Sequence, residues 1–158
     1  MLYVKEISLK WKRRKAKDFE GLEIKSSNDA VKALQFLNKE VQERVVVLVL
    51  NSRNQLQGTH LVHIGSLNQC TFNPGDILRS VIFAGCPCFI VAHNHPSGDP
   101  RPSNDDIESY HDLQKVCKLV QIKMLDYIII GDEKHYSFAD EGQLSPIPCR
   151  KIVKHKTV

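Results

Sequence analysis

Long hydrophobic runs are missing from this chain of 158 residues. No stretch approaches the ~20 consecutive apolar residues of a membrane span, and no basic segment followed by an apolar core opens it as a secretory leader would. A cytoplasmic protein with no membrane partner is the expectation. The five cysteines (Cys70, Cys86, Cys88, Cys117, Cys149) are odd in number and irregularly spaced, which excludes a disulfide framework and paired Cys-x-x-Cys knuckles. They read as small buried side chains in a reducing compartment. Cys86-Pro-Cys88 reads as a turn entering a strand, with metal or redox chemistry as its alternative. Aromatic residues are few, at 7%, and Trp11 has only Tyr3 and Phe19 near it. The net charge of +4 comes largely from Lys10 to Lys17 and from Arg150 to Lys156. Clusters such as Lys12-Arg13-Arg14-Lys15 can contact phosphates, but without interleaved rings nucleic-acid binding is the lesser reading beside solvated termini. Repeats, low-complexity tracts and internal linkers are absent too, so residues 1–158 read as one domain, with 42% apolar content to build its core.

What is present alternates between strand and helix patterns. Leu2 to Trp11 suits an edge strand, and Ser26, Ser27 and Asn28 are N-cap candidates for a helix with Val31, Leu34, Phe36 and Leu37 on its apolar face. From Glu43 the β-branched run Arg-Val-Val-Val-Leu-Val-Leu suits a strand buried on both faces. Asn51 to Asn54 turns the chain and Leu56 to Ile64 returns antiparallel. Asn73-Pro74 starts a helix with Ile77, Leu78, Val81 and Ile82 as its core stripe, and Gly85 ends it. Phe89 to Ala92 is a strand, Ser103 to about Val120 a helix carrying Ile107, Tyr110, Leu113, Val116 and Cys117, and Leu125 to Ile130 a strand onto which His135 to Phe138 folds back. That order gives an α/β fold, a three-layer arrangement of mixed β-sheet flanked by helices.

The chemistry concentrates between His93 and Asp106. The apolar run Phe89-Ile90-Val91-Ala92 stops at His93-Asn94-His95, and in extended backbone residues two apart point the same way, so both rings can serve one ion. Pro96, Pro100 and Pro102 stiffen the loop, and Ser103 reads as the cap of a helix whose Asp106 turns back toward its start. Two imidazoles and a carboxylate, with a position left for water, make up a catalytic zinc site. Ser-x-x-Asp is equally a capping box, and the spacing alone leaves both readings open. Asp99 and Asp105 compete with Asp106 as ligand. His60 and His63, three apart on a strand, are expected to face opposite sides; with His111, His135 and His155 they read as surface residues.

His93-x-His95, seven residues, Ser103, two residues and Asp106 resembles the zinc motif of the JAMM (JAB/MPN+) metalloprotease superfamily. The wording His-Asn-His-Pro-Ser-Gly-Asp-Pro-x-Pro-Ser looks like its RadC-like branch. So do Leu50-Asn51-Ser52-Arg53-Asn54, Leu125-Asp126-Tyr127-Ile128-Ile129-Ile130-Gly131 and Tyr136-Ser137-Phe138-Ala139, and the likeness covers about residues 40–145. Residues 1–39 then hold the leading strand and helix, and residues 146–158 a basic tail. The resemblance implies a fold similar to the cytidine deaminases, Zn2+ on His93, His95 and Asp106, Glu43 as the base that serves the attacking water, and Ser103 as donor to the oxyanion. Glu40 is a rival to Glu43. It also implies a peptide or protein substrate with an amide or isopeptide bond. Asn94 stands where many JAMM proteases carry Ser or Thr. The 42 residues before Glu43 do not hold the helix-hairpin-helix region of longer RadC-like proteins, which weakens a link to DNA. A metal-binding, DNA-associated module without catalysis is the alternative. A nucleobase deaminase would need His-x-Glu with Pro-Cys-x-x-Cys, which Cys86-Pro-Cys88 does not supply.

Overall fold

The computed structural model describes residues 22–65 and 72–144; the expected strand from Leu2 to Trp11, both basic clusters, Cys70, Cys149 and His155 lie outside them. The strands are β1 (Arg44–Leu50), β2 (Leu56–Ile64), β3 (Cys88–Asn94), β4 (Lys123–Ile130) and β5 (His135–Ser137), with helices α1 (Ser27–Ala33), α2 (Pro74–Ala84) and α3 (Asn104–Val120). The strands form one mixed sheet in the order β2-β1-β3-β4-β5, in which β3 and β4 run parallel and every other pair antiparallel. Because alternate residues face opposite ways, β1 divides its valines. Val45, Val47 and Val49 join Phe89, Val91, Tyr127 and Ile129 beneath α2 and α3. Val46, Leu48 and Leu50 join Ile90, Ala92 and Ile128 in a second cluster with Leu34 and Leu37. The three-layer α/β expectation holds, and none of the described helices is long and apolar enough to cross a membrane.

Four local expectations change. The first helix stops at Ala33 and continues as a 3₁₀ turn over Gln35–Lys39. Three residues per turn bring Leu34 and Leu37 inward together and leave Phe36 outside, 46% exposed. On α2 the buried stripe is Ile77, Leu78 and Val81, while Ile82 is 54% exposed. The strand carrying the histidines does not stop at them; β3 runs on through His93 and Asn94, both buried. Finally, the register of β2 shifts between Val45 and Val46, which places His63 opposite Val45 and His60 opposite Val47. Those valines share a face, so the extra residue of the bulge brings the two histidines to one side rather than two. His60 Nδ1 lies 2.9 Å from Ser80 Oγ on α2.

The end of β1 away from Glu43 has its own fastenings. Asn51 Oδ1 accepts from the backbone N–H of Arg53 and of Gln55, closing the β1–β2 turn, so the Leu50–Asn54 segment is explained by its turn, at the end of β1 away from Glu43. Cys88 Sγ points to the carbonyls of Leu50 and Asn51, and Cys86, Cys88 and Cys117 are free thiols. Burial pushes the Cys117 thiol up to about 12, which keeps it unreactive.

Candidate metal centre

Parity and the β1–β3 register assemble the site. Val45 pairs with His93, the last pair of that ladder, so Glu43 lies just beyond the start of β1 at the end where β3 delivers its histidines. His93 projects to the α3 side with Phe89 and Val91, and His95 follows on the same side. The His95 N–H donates to the Ile130 carbonyl at 2.9 Å, prolonging the parallel ladder by one bond. The loop then turns on Gly98, at φ 79°, whose N–H donates to the His95 carbonyl and whose carbonyl accepts from Asp132 N–H. A Cβ on Gly131 would collide with the Gly98 carbonyl, and one on Gly98 with the Asp132 carboxylate. Two glycines from distant segments thus let the histidine loop lie directly on the β4–β5 turn.

The N-terminus of α3 brings the third group. Ser103 Oγ accepts from Asp106 N–H at 3.1 Å, while Ser103 N–H and Oγ–H donate to Asp106 Oδ2 at 2.7 and 2.6 Å. The capping box and the carboxylate's aim at the histidines are therefore one arrangement, not rivals. Asp106 Oδ1 lies 3.0 Å from His93 Nε2 and Oδ2 3.3 Å from His95 Nε2, and the two Nε2 atoms are 3.1 Å apart. Glu43 Oε1 stands farther back, 3.7 Å from His93 Nε2. One ligand atom from each of Glu43, His93, His95 and Asp106 lies within 4.8 Å of the others.

The competing residues are engaged elsewhere. The Glu40 carboxylate pairs with Arg44 at 2.7 Å. Asp99 binds Arg101 through its side chain and offers His95 Nδ1 only its carbonyl, at 2.8 Å. Asp105 lies exposed in the first turn of α3. His135 pairs with Ile130 on the opposite face of the sheet, where its Nε2 meets Ser27 Oγ at 3.1 Å, and His111 is exposed on α3.

Known proteins share the frame that holds these groups. Residues 24–143 match the family described as the RadC-like JAB domain. The chain belongs to that family. It is 47% identical over 100 residues to a UPF0758 protein of Carboxydothermus hydrogenoformans, an alignment covering 63% of this chain and 44% of the relative. To a UPF0758 protein of Staphylococcus haemolyticus it is 39% identical over 132 residues, 82% of this chain and 58% of the other. To one of Aquifex aeolicus it is 32% identical over 145 residues, 89% and 63%. The chain spans about half the length of the curated relatives it matches.

In this RadC-like JAB domain the electrostatics follow from the contacts. Burial works to raise the Asp106 pKa, but the bonds from His93, His95 and Ser103 outweigh it and hold the carboxyl well below the usual range. Burial likewise works to lower the His95 pKa, and the bonds to the Asp106 carboxylate and the Asp99 carbonyl overcome it, so the net shift is upward. An ion bound at this site would take the place of any proton on His95 Nε2. The bond to Asp99 keeps the other proton on Nδ1 and so aims the Nε2 lone pair inward. His93 has no such support among the described residues: its Nδ1 is buried with no hydrogen-bond partner there, and the ring packs at 70° to Tyr127, centroids 5.6 Å apart.

The donor set fits a divalent ion. The separation of the two Nε2 atoms, 3.1 Å, and their distances of 3.0 and 3.3 Å to the two different oxygens of Asp106 are near the roughly 3.3 Å between donors on a tetrahedral ion with metal bonds of about 2.0–2.1 Å. Lone pairs of three groups face one another, and only a proton or a cation between them makes that favourable. A cleft of about 340 Å³ opens beside the cluster, bounded by Val41, Gln42, Glu43, Gly65, His95, Pro96 and Ser97. Reasoning from sequence missed two contributors, the Asp99 carbonyl and the side chain of Asn94. Parity alone could have flagged Asn94 as facing away from the histidines, but not what it meets there.

Proposed function

We propose that this domain is a zinc-dependent amide hydrolase acting on a peptide or protein substrate. The observation that carries it is the position of Glu43, set back from three mutually close ligand groups and open to the cleft. His93, His95 and Asp106 would hold the ion, and the protein oxygen and nitrogen donors suit zinc with one place free. A bound zinc supplies an acidified water and a polarised carbonyl. Glu43 takes the proton of the attacking water and delivers it to the departing amine. His95, oriented through Asp99, and Asp106, held by the start of α3, keep the donors fixed throughout. The free thiols of Cys86, Cys88 and Cys117 agree with work in the cytoplasm.

Metal analysis tests the ligand assignment. Purified wild type is expected to carry about one zinc per chain and His95→Ala well under one, since two remaining ligands hold zinc poorly. Equal zinc in both proteins would undo the assignment. The same preparations, profiled against peptide and isopeptide libraries, separate a hydrolase from a metal-binding, DNA-associated module, which would cut nothing.

Ser103 has two possible duties in this scheme. Its hydroxyl donates to Asp106 Oδ2, so donating to an oxyanion requires rotation away from the carboxylate. The backbone N–H of Ser103 would still hold Asp106 at 2.7 Å after that rotation. Ser103→Ala is therefore expected to keep its zinc while turnover falls about 10²–10³-fold, the cost of removing one oxyanion donor. Full turnover in the zinc-loaded variant would remove Ser103 from the chemistry.

A further inference from the structure

Asn94 sits between the two histidines but on the other face of β3, and it is 2% exposed. Its side chain therefore meets neither the cluster nor the cleft. It spends its hydrogen-bonding groups on the segment that carries Glu43. Nδ2 donates to the carbonyls of Glu40 and Gln42 at 3.3 and 3.2 Å, and Oδ1 accepts from the N–H of Arg44 at 2.9 Å. The three partners are the residue before Glu43, the residue after it and one more upstream, more than forty positions from Asn94 in the chain. The β1–β3 ladder ends at Val45–His93, so residues 40–43 have no strand neighbour on that side among the described residues. On the other side the Glu43 carbonyl accepts from Gly65 N–H at 2.8 Å. Asn94 supplies the missing side of this clamp.

We infer that Asn94 is a positioning residue, a side-chain amide that replaces the absent strand ladder and fixes the backbone from which Glu43 reaches the metal centre. The inference rests on the reading of Glu43 as the proton acceptor. The chemistry is specific to a primary amide, because two donors and a carbonyl oxygen in one plane are needed to serve three backbone groups at once. A serine in that place has one hydroxyl and leaves at least one of those groups unmet.

The test uses the full chain loaded with cobalt(II), whose visible absorption reports ligands, titrated with acetohydroxamic acid. That chelator passes its proton to a carboxylate beside the metal, so its affinity reads the carboxylate's position without any turnover. Glu43→Gln is expected to weaken binding about tenfold and Asn94→Ser about fivefold, as a charge-assisted hydrogen bond is lost or misaligned. The double variant should bind no more weakly than Glu43→Gln alone, since Asn94 acts only through Glu43. A role in stability alone would lower the melting temperature of Asn94→Ser and leave its hydroxamate affinity at the wild-type value, and that result overturns the inference. So does a double variant in which the two losses multiply. If Glu43→Gln itself binds like wild type, the reading of Glu43 has failed and the inference with it, a result distinct from the first two. Should Asn94→Ser not fold, hydrogen exchange in the unsubstituted protein decides. The Arg44 amide should exchange as slowly as the β1 ladder amides, and fast exchange counts against the clamp.

Discussion

Glu43→Gln is expected to keep about one zinc per chain and to lose roughly 10²–10⁴-fold in turnover, the contribution of a placed general base. The substitution is nearly isosteric and preserves hydrogen bonding, so what it removes is the ability to accept a proton. Zinc should remain because Glu43 stands 3.7 Å from His93 Nε2, whereas Asp106 approaches the two rings at 3.0 and 3.3 Å. The acid is also placed to reach solvent, with its side chain 23% exposed toward the cleft. Measuring zinc content and initial rates on one substrate, with both proteins fully loaded, separates the two effects. A variant that cuts as fast as wild type would show that the proton goes elsewhere, and Glu40 would be a poor replacement because Arg44 already holds it. A variant that loses its zinc would instead make Glu43 a ligand and close the position that water needs.

How far the sequence foretold this arrangement depends on whether a contact is local. His93 and His95 converge because strand parity is written into adjacent residues, and Asp106 joins them because a capping box fixes the offset from Ser103. Both features need only a few residues of context. Glu43 follows from family likeness, with Glu40 three residues away as its rival, and only the fold shows that Arg44 engages Glu40. The Asn94 clamp and the Gly98–Gly131 contact join segments far apart in the chain, and no periodicity announces them. The errors were of a related kind. Counting by twos along β2 separated His60 from His63, and counting by 3.6 past Ala33 buried Phe36, because a bulge and a 3₁₀ turn each change the period midway.

The buried acid of β4 carries the second large effect, on stability rather than chemistry. Asp126 is 4% exposed, and its carboxylate accepts from Tyr127 N–H at 2.7 Å, Ala139 N–H at 3.0 Å and Ser137 Oγ–H at 2.6 Å. Those bonds tie β4 to β5 and to the turn that follows, and they favour the charged form. Burial opposes them and prevails, with Asp140 adding repulsion, so the carboxyl is pushed up to about 6 from an ordinary 3.8. The folded protein therefore binds this proton more tightly than the unfolded chain does. The stabilising effect is fully present below about pH 4 and is lost as pH rises through about 6, with a total on the order of 3 kcal/mol at 1.36 per unit. Asp126→Asn keeps the shape and the backbone bonds of the protonated acid without its titration. The difference in unfolding free energy between variant and wild type, measured on metal-free protein by urea denaturation, should then shift in the variant's favour by roughly 2 kcal/mol between pH 4 and pH 7. Taking the difference cancels Asp106 and His95, whose titrations both proteins share. A flat difference across that range would mean that the three hydrogen bonds fully offset the burial, leaving Asp126 an ordinary carboxylate inside the fold.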